Sequence, residues 1–149
     1  RGGQVTYHGP GQLVVYPIVN LKDWGGPVKY VRALEQVVIA TLAEMGITAN
    51  CESGNTGVWT NQGKIAAIGV KISRGIAFHG LSLNVNTDLA YYQNIIPCGI
   101  ADRPVTSMAS ILGSPVDMGL VRYGLVYQFG REFRFRIEDG VASMLFRKI

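Results

Sequence analysis

Gly57-Val-Trp-Thr-Asn-Gln-Gly-Lys-Ile-Ala-Ala-Ile-Gly-Val-Lys-Ile-Ser-Arg-Gly-Ile-Ala-Phe-His-Gly-Leu-Ser-Leu-Asn-Val-Asn86 holds three apolar, β-branched runs separated by two short turn signals. Residues 57–60, 64–73 and 76–86 read as consecutive strands, with Asn61-Gln-Gly63 and Arg74-Gly75 as the turns, and connections this short make an antiparallel meander. In the third strand Phe78, Gly80, Ser82 and Asn84 share one face, while Ala77, His79, Leu81, Leu83 and Val85 share the other. His79 is therefore expected among apolar neighbours, as a satisfied core residue. Gly69 and Gly80 interrupt their strands, and each predicts a bulge or a close approach to bare backbone.

Working outward from the meander, Gly25-Gly26-Pro27 breaks the chain before Val28, Val31, Leu34, Val38, Leu42 and Met45, which recur at helical spacing up to Gly46. Pro27 suits the first turn of that helix and Gly46 its end, with Lys29, Arg32, Glu35 and Glu44 off the apolar stripe. Upstream, residues 13–19 form a β-branched, aromatic strand with Pro17 at an edge or bulge. Downstream, residues 105–112 predict a short helix stopped by Gly113. A last helix follows with Ser114 as N-cap, Pro115 at N1, Asp117 at N3, and Val116, Leu120, Tyr123 and Tyr127 on one face. Phe133-Arg-Phe-Arg-Ile137 reads as a terminal strand. With 149 residues and 48% apolar side chains, the chain is expected to fold as a single globular domain with a sizeable core.

Composition narrows the function classes. No apolar run reaches about 18 residues and the chain opens on Arg-Gly-Gly, so neither a membrane span nor a signal peptide is predicted. Two cysteines, Cys51 and Cys98, in a chain of this size point to a reducing, cytoplasmic compartment rather than a disulfide scaffold. Their spacing relative to His8 and His79 matches no metal motif, so no metal is expected. The net charge of +4 is a mild excess. Arg131, Arg134 and Arg136 around Phe133 and Phe135 have two readings, a nucleic-acid surface or an alternating strand, and the strand is the ordinary one; no nucleic-acid partner is expected.

Chemistry concentrates at two loops. In Asn94-Ile-Ile-Pro-Cys-Gly-Ile100 a cysteine stands between a proline that fixes φ and a glycine that permits close approach. Such a sulfur can be presented on a turn to a base and a substrate; the alternative is a small buried apolar residue. Arg1-Gly-Gly-Gln-Val-Thr-Tyr-His-Gly-Pro-Gly-Gln12 packs glycine and proline around hydrogen-bonding side chains, as a ligand loop or a plain turn, and lacks both nucleotide-loop spacings.

Together, residues 1–12, Lys64-Ile-Ala-Ala-Ile-Gly69, His79-Gly80 with Asn84, and Pro97-Cys98-Gly99 followed by Val105-Thr106-Ser107 resemble the lipoyl(octanoyl) transferases, in the same order over residues 1 to about 112. The resemblance implies an α/β (α+β) fold of the biotin and lipoate protein ligase type, a mixed, largely antiparallel sheet carrying helices, and transfer of an octanoyl or lipoyl group from acyl carrier protein to a lysine of a lipoyl domain. Such domains belong to the 2-oxoacid dehydrogenases and to the glycine cleavage H protein. It implies that Cys98 forms an acyl thioester and that Lys64 tunes it. Substrate binding falls on Arg1, Gly2, Gly3, Gln4, Val5, Thr6, Tyr7 and His8, on Ala67, Ile68 and Gly69, and on Gly80, Leu81 and Ser82. No cofactor is implied. The family carries a segment before its Arg-Gly-Gly motif, so the 1–149 domain is expected to lack an N-terminal piece.

Two other functions fit the same residues. An ATP-dependent lipoate or biotin ligase on this fold needs no cysteine nucleophile, and a non-catalytic module would bind carrier protein without forming an adduct. Between Lys64 and Lys71, seven apart and so on opposite faces of a regular strand, only the motif position selects Lys64.

Overall fold

The computed structural model describes residues 5–22, 24–94 and 104–140. Strands β1 (Gln12–Val15), β2 (Val19–Asn20), β3 (Asn50–Glu52), β4 (Asn55–Thr60), β5 (Gly63–Ser73) and β6 (Ile76–Asn84) form one sheet. Its order is β1-β6-β5-β4-β3, with β2 also on β6 and every strand pair antiparallel. The helices are α1 (Pro27–Glu44), α2 (Met108–Leu112) and α3 (Met118–Phe133), with a 3₁₀ turn at Leu89–Asn94. The meander expected from the opening stretch is therefore present as β4, β5 and β6, and β3 extends it by a short strand that the sequence reading omits.

Pro27 opens α1, and Gly46, at φ 76, turns the chain out of it. Tyr30, Leu34, Val37, Val38 and Leu42 pack on Val58, Ile65, Ala66, Leu81 and Leu83 of the sheet. Val28, assigned to the apolar stripe, is 75% exposed, whereas Glu35, expected off the stripe, is completely buried. α3 lies against α1 through Val121 and Leu125, and its Phe133 meets Trp24 and Tyr30.

Several expectations are corrected by tertiary contacts. The strand expected at 13–19 is broken at Tyr16-Pro17-Ile18, yet Val15 still pairs with Leu81 and Val19 with Ala77, so the register survives the proline. Val105 and Thr106 do not begin a helix; they pair with Lys64, and Ser107 caps α2 through its hydroxyl to the Ser110 amide. The last helix starts at Asp117, whose carboxylate accepts from the amides of Gly119 and Leu120, because the Asn86 amide clamps both backbone groups of Val116 at 2.8 Å and holds it extended. Residues 133–137 form no strand. Phe133 ends α3, Arg134 adopts a left-handed cap at φ 55, and the Phe135 amide bonds back to Gly130, so the alternating Phe-Arg pattern is a helix end folding over itself.

His79 is corrected as well. It is half-buried rather than in the core, at φ 62, edge-on to Tyr16 and beside Phe78. Gly69 and Gly80 face each other in unbroken register, so neither marks a bulge. A Cβ on Gly80 would stand 2.2 Å from the Val15 carbonyl oxygen and 2.5 Å from Pro17 Cδ; the chain's own kink uses the space.

Candidate active site

Strand alternation gives the sheet two unlike faces. Ala66, Ile68, Leu81 and Leu83 point toward α1, while Ala67 pairs with Ser82, Gly69 with Gly80, and Gln12 with Asn84 on the other side. Of the substrate-binding candidates, Ala67, Gly69, Gly80 and Ser82 thus share the face away from α1. The side chains of Ile68 and Leu81 belong to the core.

That second face carries a buried polar network. The Gln12 amide nitrogen donates to Asn84 Oδ1 at 2.9 Å, to the Tyr92 hydroxyl at 3.0 Å and to the Tyr7 carbonyl at 3.2 Å, sharing two hydrogens among three acceptors. Its oxygen lies 2.6 Å from His8 Nδ1; an amide oxygen only accepts, so His8 carries a proton there. Asn84 in turn donates to the Thr106 carbonyl at 3.1 Å. Tyr7 stacks on Tyr91 with ring centroids 5.2 Å apart and meets Tyr92 edge-on. The N-terminal loop at Tyr7 and His8 is therefore joined to β6 and to the 3₁₀ turn, while Val5 is 59% exposed and Thr6 half-buried. Sequence alone assigns no binding role to Gln12, Tyr92 or Thr106; the faint signal for Gln12 is a polar side chain at the head of a β-branched run.

Lys64 reaches the same face by a bulge. Val58 pairs with Ala66 and Trp59 with Lys64, which leaves Ile65 as an extra residue that drops into the core. The irregularity expected near Gly69 lies here instead, and it reverses the parity argument: Lys64 and Lys71 are on one face, not two. Lys64 Nζ donates to the Thr56 carbonyl at 2.9 Å and sits 5.1 Å over the Trp59 ring. Its backbone is held too, since its amide donates to Pro104 O and its carbonyl accepts from Thr106, both at 2.9 Å. A Cβ on Gly63, at φ 127, would fall 2.3 Å from that Pro104 oxygen, so glycine is required for this approach.

Both described borders of the 95–103 stretch are consequently fixed on this face, Tyr91 and Tyr92 before it and residues 104–106 after it. Pro97, Cys98 and Gly99 lie outside the described residues, as do Arg1, Gly2, Gly3 and Gln4. Cys51, on β3, is a free thiol whose pKa is raised by burial and then by the neighbouring Glu35 carboxylate, the environment of a sluggish thiol. Among the described residues no group of three His, Cys, Asp or Glu side chains could hold a metal ion, and no helix is long and apolar enough to cross a membrane.

The antiparallel sheet with α1 and α3 layered on one of its faces is a fold shared with solved biotin and lipoate protein ligases. A lipoate-protein ligase A solved with ATP superposes with a TM-score of 0.78 at 18% identity, over 95% of this chain and 60% of that one. A biotin protein ligase from Aquifex aeolicus gives a TM-score of 0.67 at 22% identity, over 83% of this chain and 53% of that one. Residues 1–130 match the lipoyl protein ligase A/B catalytic domain, and the chain belongs to that family. Similar relatives include an octanoyltransferase of Solibacter usitatus (strain Ellin6076), 52% identical over 95% of this chain and 64% of its own length. Another is an octanoyltransferase of Alkaliphilus metalliredigens (strain QYMF), 50% identical over 95% of this chain and 66% of its own length. The chain thus spans just under two thirds of these relatives.

Proposed function

We propose that this chain is the catalytic core of an octanoyltransferase, moving an octanoyl group from acyl carrier protein to a lysine of a lipoyl domain through a thioester on Cys98. The observation that carries this reading is the pairing of Lys64 with residues 104–106, which ties the lysine's strand to the chain that follows the Pro97-Cys98-Gly99 motif, beginning five residues after Gly99. The names of the similar relatives support it.

The chemistry balances without a nucleotide. The Cys98 thiolate attacks the carrier thioester, forming one C–S bond as another breaks and the carrier thiol leaves; the amine of the target lysine then attacks the enzyme thioester, forming an amide and releasing Cys98. Lys64 is the cation that favours the thiolate and the group that passes a proton between sulfur and amine. An octanoyl tail has about six methylenes, and burying them contributes on the order of 5 kcal/mol of chain recognition. Loop residues 1–8, with Ala67, Gly69 and Ser82, supply the binding surface, and the lipoyl domains of 2-oxoacid dehydrogenases and of the glycine cleavage H protein are the acceptors; Gly80 instead makes room for the kink at Val15 and Pro17.

Exposure to octanoyl carrier protein followed by intact mass measurement tests the reading. A hydroxylamine-labile octanoyl adduct is expected, lost in Cys98→Ala and kept in Cys51→Ala. An adduct that follows Cys51, or acyl transfer that appears only with free octanoate and ATP, overturns it.

A further inference from the structure

Glu35 is a buried carboxylate on the face of α1 that packs against the sheet, and both of its oxygens are engaged. Oε2 accepts from Arg32 Nη1 at 2.6 Å and Oε1 accepts from the Gly57 amide at 2.9 Å. The Gly57 nitrogen belongs to the same peptide unit as the Thr56 carbonyl, which accepts from Lys64 Nζ at 2.9 Å. One rigid peptide plane therefore has its N–H end on a carboxylate and its C=O end on an ammonium, so the peptide dipole is aligned with both charges. An amide whose hydrogen is held by an anion carries a more negative carbonyl oxygen, and hydrogen bonds in series strengthen one another in this way.

Gly57 has φ 128, and a Cβ there would lie 2.5 Å from Lys64 Cε and 2.7 Å from the Ala66 carbonyl oxygen, so the lysine stem crosses the strand where there is no side chain. Among the described residues, the titratable and charged groups against Glu35 are Arg32 on its own helix and Cys51 on β3.

We propose that Glu35, anchored by Arg32, is a positioning residue for Lys64, acting from the opposite side of the sheet through the Thr56–Gly57 peptide to hold the lysine charged and in place. The proposal rests on Lys64 being the working lysine of the transfer reaction. Glu35→Gln keeps the size of the side chain and an oxygen for the Gly57 amide, but removes the charge.

In the full chain, the Lys64 ε-carbon followed by NMR across the alkaline range is expected to titrate about half a pH unit or more lower in Glu35→Gln than in the parent, because the ammonium has lost its support. Turnover of octanoyl transfer is expected to fall about tenfold with KM unchanged, as for loss of a charge-assisted contact that matters in the transition state. A folded Glu35→Gln protein in which Lys64 titrates as in the parent, or in which turnover is unchanged while Lys64→Met is impaired, overturns the proposal. A Lys64→Met protein that transfers at the parental rate overturns the lysine assignment itself. Should Glu35→Gln fail to fold, the parent answers the question: the Gly57 amide nitrogen shift is expected to follow the Lys64 titration and to lose that step in Lys64→Met, and a Gly57 signal indifferent to Lys64 overturns the proposal.

Discussion

Gln12 and Asn84 are register partners across the β1–β6 ladder, and their side chains are joined by a 2.9 Å hydrogen bond in the interior of the face that carries Lys64. Through this pair the N-terminal loop, the 3₁₀ turn before the cysteine motif and the segment after it share one network.

Replacing Gln12 with Leu is expected to remove the donor that Asn84 Oδ1 and the Tyr92 hydroxyl share, while the Tyr92 hydroxyl still donates to Asn84 Oδ1 at 3.2 Å, lowering unfolding stability by about 2 kcal/mol in urea titrations. A cycle with Asn84→Leu should show coupling of roughly 1 kcal/mol or more, and strictly additive losses would show that the two amides act independently.

Gly63→Ala places a Cβ against Pro104 O at a backbone angle that favours glycine, and is expected to cost about 2 kcal/mol. Hydrogen exchange at the Lys64 and Thr106 amides should accelerate more than at β6. Acyl transfer should fall with it, since the segment after Cys98 loses its tie to β5.

Lys64→Met is expected to abolish most octanoyl transfer, whereas Lys71→Met, at an exposed position further along β5 opposite Phe78, should change it less than about twofold. The bulge puts both on one face, so distance along the strand rather than sidedness separates them. A larger loss in Lys71→Met would reverse the assignment.

Tyr30 is fully buried, its hydroxyl has no hydrogen-bond partner among the described residues, and burial pushes its pKa from 10.0 up to about 12. The folded state binds this proton more tightly than the unfolded state. The associated stability is therefore complete below pH 10, is lost as pH rises toward about 12, and is on the order of 3 kcal/mol. Tyr30→Phe should remove that alkaline step and, by relieving a buried unpaired hydroxyl, leave stability at pH 7 equal or higher by about 1 kcal/mol. Retention of the step in Tyr30→Phe would assign it to another group.

The meander, the long helix and the family were legible in the sequence because each rests on local signals: β-branched alternation between Gly-containing turns, three- and four-residue apolar spacing after Pro27, and motifs contiguous in the chain. What the sequence could not decide is set by partners distant along the chain. A regular strand puts Lys64 and Lys71 on opposite faces, and only the insertion of Ile65 into the core against α1 reverses this. Val116 reads as helical until Asn86 takes both its backbone groups, and the space beside Gly80 reads as room for a ligand until Val15 and Pro17 fill it. Glu35 reads as a solvated helix residue because nothing within its own turn shows that a peptide of β4 will present an N–H to it. Alternation and spacing report which side of an element is apolar; the pairing of buried polar groups depends on which backbone arrives opposite, and that is fixed only when the sheet and helix close on each other.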